Sequence, residues 1–90
     1  MLYAKMTVDD AMWSFYIVRY FEDRDGGDNL VMRVERQKDD EAFSEWVLPD
    51  ISCKKSYGFS EMEIGRIRNF IRNNQFLIWK IWEEGEETSA

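Results

Sequence analysis

The stretch MWSFYIVRYF, residues 12–21, limits the possible folds more than any other part of the chain. Nearly every position carries an aromatic or β-branched side chain, which is the composition of a β-strand. Successive side chains of a strand point to opposite faces, and here apolar side chains fall on both. The pattern predicts a central strand that is covered on both faces, or covered on one face and lined with tyrosine rings on the other.

Further strands follow at short intervals. Residues 22–29 form a polar turn, where Gly26 and Gly27 can take the positive φ of a hairpin. They lead into a second strand at 30–36. Turns this short predict an antiparallel meander, because parallel strands need longer crossovers.

The sheet extends in both directions from these two strands. Residues 38–40 are predicted as a turn before a third strand at 42–48, which Pro49 ends because it has no N–H to donate. Residues 1–11 alternate weakly, and they form either a short first strand or a frayed terminus, with a turn at Asp9-Asp10. We expect three or four strands in all, followed by a connection at 49–59 with one helical turn near 51–55.

One long helix is predicted to follow the sheet. Ser60 and Glu63 have the S-x-x-E spacing of a capping box, in which each side chain binds a backbone N–H of the other residue. Gly85 and the acidic residues after it are expected to stop the helix. The apolar side chains expected to cover the sheet recur at helical spacing: Ile64, Ile67, Ile71, Ile78, Ile81 and Trp82.

These elements predict a single α+β domain at 1–84, in which the antiparallel meander packs against the helix. Residues 85–90 are predicted to be a disordered acidic tail. The chain has 90 residues, too few for a second core of useful size. No membrane helix or signal-peptide pattern is present in the sequence, and we expect a cytoplasmic protein with no membrane partner.

Composition excludes several chemistries. The chain has no His and one Cys, so the commonest general base, the commonest metal ligand and an internal disulfide are all missing. The formal net charge of -6 argues against a direct nucleic-acid surface, which draws on excess Lys and Arg. We therefore predict no catalytic, cofactor-binding or metal-binding residue, and no cofactor.

Acidic clusters in the turns are interpreted as solvated charges. The turn at 22–29 starts like a calcium loop but has no bidentate Glu at its far end. Asp39, Asp40 and Glu41 are predicted to keep ordinary acidity in water. Glu45 lies within a strand, where Arg33 or Arg19 can pair with it.

The cysteine and the helix arginines each have a structural interpretation beside a functional one. Lys54 and Lys55 could lower the pKa of the Cys53 thiol, but a structural or incidental thiol is the favoured interpretation. Arg66, Arg68 and Arg72 could meet a phosphate or an acidic partner. We favour a solvated flank that pairs with the chain's own carboxylates.

The C-terminal half of the helix carries the candidate partner surface. On a continuous helix Phe76 lies far from the isoleucine stripe and Trp79 lies at its edge, so both rings could bind a partner. A break near 73–75 would instead rotate both rings into the core. Glu83 and Glu84 follow, where a negative helix end would disfavour them and a basic partner could relieve the cost. The predicted partner is a separate protein or a second copy.

Residues 45–84 resemble a family of short prokaryotic proteins classed as a domain of unknown function. The matching residues are Ser56-Tyr57-Gly58-Phe59-Ser60, Glu63-Ile64, Ile67, Ile71, Leu77 and Trp82. The resemblance implies a strand meander with a C-terminal helix. It also implies a gene often found beside that of a second short protein, as in toxin–antitoxin-like modules.

The resemblance is weak over the first third of the chain. Family members usually carry a His-x-His pair on the second strand, where this chain has Val31 and Arg33. The family therefore implies the fold here and no site.

Three functions are compatible with these features. The favoured one is a small non-enzymatic protein-interaction module, in the family context one member of a two-protein regulatory pair. The second is a nuclease- or toxin-like protein that uses Arg and carboxylate side chains on the sheet. The third is an acidic inhibitor that mimics nucleic acid, for which acidic residues should line one exposed face rather than the turns.

Overall fold

The computed structural model of the chain describes residues 1–37 and 41–89, with side chains described as far as Gly85. These residues form five strands and one helix, which confirms the predicted α+β class. The strands lie in chain order in one antiparallel sheet. The elements are β1 (Leu2–Val8), β2 (Ala11–Glu22), β3 (Asp28–Gln37), β4 (Ala42–Leu48), β5 (Ser52–Tyr57) and α1 (Glu61–Ser89).

The first predicted turn forms a tight hairpin. Asp9 and Asp10 have φ values of 49° and 67°, and two successive residues with positive φ are typical of the two-residue turn that joins twisted strands. Asp tolerates this conformation better than most residues. Residues 2–8 are therefore a strand paired with β2 rather than a frayed terminus.

Strand β5 corrects the prediction at 49–59. Residues 52–57 pair with β4 as a fifth strand, where a connection with a helical turn was expected. Ile51 has φ 56° and lies in the short segment that reverses the chain after β4. Lys54 and Lys55 obscure the strand in the sequence, but lysines are common on edge strands because they discourage pairing with another chain.

The core lies between α1 and one face of the sheet. Ile67, Ile71 and Ile78 are fully buried on the helix, as predicted, whereas Ile64 is half-buried and Ile81 is 37% exposed. The fully buried sheet residues that meet them are Trp13, Phe15, Ile17, Leu30, Met32, Val34, Trp46 and Leu48.

A register shift between Ile17 and Arg19 changes the faces of strand β2. The alternation predicted for 12–21 holds as far as Ile17, and Val18 is the extra residue of the bulge. After the bulge, Tyr20 rather than Arg19 lies beside Trp79 and Trp82 of the helix.

The segment Tyr57-Gly58-Phe59-Ser60 joins the sheet to the helix. Gly58 has φ 81°, and a Cβ atom at this position would lie 2.8 Å from the Cβ of Ala42, so only glycine fits without strain. The Phe59 ring then packs edge-on against Trp13, with 5.3 Å between centroids.

The predicted capping box forms at this joint. The Ser60 N–H donates to Glu63 Oε1 at 2.9 Å, and the Glu63 N–H donates to Ser60 Oγ at 3.2 Å. Arg36 of β3 donates to Glu63 Oε2 at 2.6 Å and to the Gly58 carbonyl at 2.9 Å. The start of α1 is therefore tied to the sheet by both hydrogen bonds and charge.

The helix end differs from the prediction. Helix α1 continues through Gly85 to Ser89, so the domain boundary at residue 84 is not marked by a break. A single glycine within a helix costs only about 1 kcal/mol, and Gly85 is not followed by a proline. The predicted turn at 38–40, with Asp39 and Asp40, and the last tail residue, Ala90, lie outside the described residues.

Candidate partner-binding surface

The helix is continuous where a break was considered. Residues 73–75 lie within α1, and Asn74 faces strand β1. Its Oδ1 accepts a hydrogen bond from the Tyr3 hydroxyl at 3.0 Å, and its Nδ2 donates to the Phe70 carbonyl at 2.8 Å. Asn74 therefore binds the neighbouring strand without interrupting the helix.

Continuity of α1 leaves Phe76 on the solvent side. The Phe76 side chain is 78% exposed, while Trp79 is half-buried and packs against the edge of the core. The Trp79 indole N–H makes a long hydrogen bond of 3.5 Å to Gln75 Oε1. Of the two aromatic rings predicted to bind a partner, Phe76 is therefore exposed to solvent, and Trp79 connects that surface to the core.

A shallow depression of about 540 Å³ lies beside these two rings. It is called the α1 groove here, and its lining residues are Gln75, Phe76, Trp79, Lys80 and Glu83. An apolar floor with an amide, an ammonium and a carboxylate around it can hold the side chains of another protein. The groove therefore brings together three of the four predicted site residues.

A second depression of about 250 Å³ adjoins the α1 groove. It is formed by Tyr20, Asp28, Trp79, Trp82 and Glu83. Trp79 and Glu83 line both depressions, so the surface extends from the helix to the end of the β2–β3 hairpin. Neither Tyr20 nor Asp28 was predicted as a site residue, because the bulge at Val18 places the tyrosine there.

Glu83 and Glu84 differ in their positions. Both are exposed, but Glu84 lines neither depression. Helix α1 ends at Ser89, six residues beyond Glu83, so neither carboxylate lies in the last turn. The expected cost from the helix dipole was wrong, since that effect falls off within the final turn.

Additional apolar side chains are exposed on the opposite flank of α1. Leu77 and Ile81 are exposed there, although helical periodicity predicts Ile81 to cover the sheet. At 100° per residue Ile81 lies about 60° away from Ile78, which places it at the border of the buried face. The C-terminal half of the helix therefore exposes three large apolar side chains, Phe76, Leu77 and Ile81.

The sheet face away from α1 carries the Arg and carboxylate side chains of the nuclease-like hypothesis. Arg33 donates to Glu35 at 2.7 Å and to Glu45 at 3.1 Å, which confirms the pair predicted across β3 and β4. Its guanidinium also lies 4.3 Å from the Phe43 ring centroid. The pKa of Arg33 is raised, and the hydrogen bond to Glu35 is the main cause. One guanidinium is therefore shared by two carboxylates, and Arg33 is held by partners within the sheet.

The β2–β3 turn is organised by its own hydrogen bonds. Asp23 accepts from the N–H groups of Asp25 and Gly27 and from the Asn29 amide, and these bonds, led by that from Gly27, lower the pKa of Asp23. Both carboxylate oxygens thus serve the turn. No three Cys, Asp or Glu side chains within the described part of the chain are grouped to hold a metal ion.

The remaining candidates are separated from one another. Arg66 lies 3.9 Å from Asp9, Arg68 lies over the Trp46 ring and Arg72 donates to Asn69, so the three do not form one basic cluster. Burial raises the pKa of the Cys53 thiol, and the nearby Arg68 charge only partly offsets this. An activated thiol would need a lowered pKa, so the raised pKa of Cys53 is the opposite of what that hypothesis requires.

No family model, no curated protein and no solved structure matches the chain. The relation to the family of short prokaryotic proteins therefore stays a prediction. Among residues 1–37 and 41–89, no helix has both the length and the apolar character needed to cross a membrane.

Proposed function

We propose that the protein is a small, non-enzymatic protein-interaction module that binds its partner through the α1 groove. The observation that carries this proposal is the Phe76 ring, which is 78% exposed on an ordered, continuous helix. An isolated domain gains no stability from such a ring in water, whereas burial at an interface can contribute a few kcal/mol.

The surroundings of Phe76 support a binding role. Trp79 and Gln75 flank the ring, and Lys80 and Glu83 supply charges of both signs at the rim. Aromatic anchors inside a polar rim are characteristic of protein interfaces. The cytoplasmic location and the membership of a two-protein regulatory pair belong to this proposal, and the second is supported by the family resemblance alone.

The test replaces Phe76 by serine and measures binding and stability together. Phe76→Ser should abolish self-association in sedimentation, or capture of a stoichiometric protein partner by the tagged chain, whichever the parent shows. The free energy of unfolding should change by about 0.5 kcal/mol or less, because the ring contributes little to the core.

Met62→Ser is the matched control. Met62 is 80% exposed on the same helix, but it lies 14 residues from Phe76, which is about 21 Å along the axis. This variant should keep both binding and stability. Unchanged binding in Phe76→Ser, or a large loss of stability, would contradict the proposal, as would turnover of RNA or DNA by the parent.

A further inference from the structure

Four side chains on α1 form a line with the spacing of a helix-pairing surface. Arg72, Phe76, Trp79 and Glu83 are separated by four, three and four residues, and they are called the α1 seam here. This is the spacing at which side chains of one helix meet those of a second. At 100° per residue the four lie within an arc of about 60°, turned away from the buried isoleucines.

The α1 seam is complementary to itself. When two such helices run antiparallel with the two-fold axis between Leu77 and Ile78, Arg72 of each copy faces Glu83 of the other. Phe76 of each copy likewise faces Trp79 of the other. The groove residues at the sides follow the same symmetry, because Gln75 then lies opposite Lys80.

Resting on the proposed function, we propose that the partner held in the α1 groove is a second copy of this chain, docked by antiparallel pairing of the two seams. Two ion pairs and two aromatic contacts form across the axis. A parallel arrangement would set Arg72 against Arg72 and Glu83 against Glu83, and like charges in opposition disfavour it.

The seam residues are available for this contact. Arg72 and Glu83 are both exposed, and the partner of Arg72 within the chain is Asn69 on the same helix, with a 3.2 Å hydrogen bond. Phe76 projects from α1, and Trp79 provides a half-buried ring beside it. The seam runs from residue 72 to residue 83, which is about 17 Å along the helix axis, so we expect a dimer that dissociates on dilution.

Charge reversal tests the pairing directly. Sedimentation of a dilution series should show a monomer–dimer equilibrium for the parent. Arg72→Glu alone and Glu83→Arg alone should each weaken the dimer by about tenfold or more, because each sets like charges in opposition twice. The double variant Arg72→Glu/Glu83→Arg should regain the parent affinity.

Mixing the two single variants gives a second, independent readout. One variant then presents two carboxylates and the other two guanidinium groups, so an equimolar mixture should form a heterodimer although neither variant pairs well with itself. Lys54→Glu on β5 is the control, because it makes the same charge change as Arg72→Glu at an exposed position away from the seam. It should leave the dimer unchanged.

The outcomes separate this inference from the proposed function. A parent that stays monomeric at every concentration would overturn the second-copy assignment, while Phe76-dependent capture of a different protein would leave the proposed function standing. A dimer that ignores both single charge reversals, or a double variant that fails to regain affinity, would also overturn it. Thermal melts of each variant establish that the monomer remains folded.

Discussion

The core assignment makes a quantitative prediction at Ile71. This side chain is fully buried between the helix and the sheet, so Ile71→Ala removes three carbon atoms from a closed environment. The lost transfer free energy is about 2.4 kcal/mol at about 0.8 kcal/mol per carbon, and the unfilled cavity brings the cost to about 2–5 kcal/mol. A domain of this size has a total free energy of unfolding of about 5–13 kcal/mol, so the loss at Ile71 is a large fraction of that total.

Urea unfolding followed by tryptophan fluorescence measures this cost. The buried Trp13 and Trp46 rings report the loss of the core, and the urea dependence should keep its slope because the unfolded surface hardly changes. Ile81→Ala is the matched control, since it removes the same atoms from the same helix at a site 37% exposed. Its expected cost is below about 1 kcal/mol.

The comparison of the two isoleucines can fail in two ways. A loss below about 0.5 kcal/mol for Ile71→Ala would mean that the helix does not cover the sheet as described. An equal or larger loss for Ile81→Ala would mean that the C-terminal half of α1 is rotated, which would also withdraw the exposed position of Phe76.

Two further predictions concern titratable groups. Burial raises the pKa of Glu63, but hydrogen bonds from Ser60 and Arg36 outweigh this effect, so the pKa of Glu63 is lowered in the folded protein. The ionised carboxylate therefore stabilises the folded state at pH values above its ordinary pKa. This stabilisation is lost as the pH falls through the pKa of the folded state. Glu63→Gln should cost about 1 kcal/mol in urea melts at pH 7 and progressively less as the pH is lowered below the ordinary pKa of the carboxyl, and a cost independent of pH would contradict this. The raised pKa of Cys53 reduces its thiolate fraction, so iodoacetamide should alkylate it several-fold more slowly in the native protein than in urea. An equal native rate would contradict this.

Local signals made the helix start predictable. The capping box depends on two residues three positions apart, and both of its hydrogen bonds form. The buried isoleucines likewise follow from helical periodicity alone. The exact border of the buried face does not, because the width of the covered stripe depends on how far the sheet extends beneath Ile81.

Strand β5 shows why sheet edges are harder to predict. A central strand can be recognised in the sequence by its apolar residues, but an edge strand is half solvated and carries charges that prevent pairing with other chains. Lys54 and Lys55 therefore look like a loop in the sequence, although Lys55 pairs with Glu45 of β4 and Lys54 lies at the register shift beside it. Nothing local distinguishes the two cases.

The candidate site combines local and long-range contributions. Exposure of Phe76 follows from the helical wheel because α1 is continuous. Within that helix, Asn74 accepts a hydrogen bond from the Tyr3 hydroxyl, 71 residues away in the chain. The neighbouring depression also needs the bulge at Val18, which turns Tyr20 towards the helix. The aromatic anchor was therefore predictable, and the shape of the surface around it was not.

Three of the residues that carry the family resemblance serve the joint between the sheet and the helix. Gly58 allows the close approach to Ala42, Phe59 packs on Trp13, and Ser60 caps the helix, all just before the first turn of α1. The α1 seam lies at the other end of the same helix. A protein that shares the joint can thus share the sheet and helix while presenting different charges at positions 72 and 83, and its choice of partner would change with them. If pairing of the seams determines the partner, exchanging these two charges should alter specificity without altering the fold.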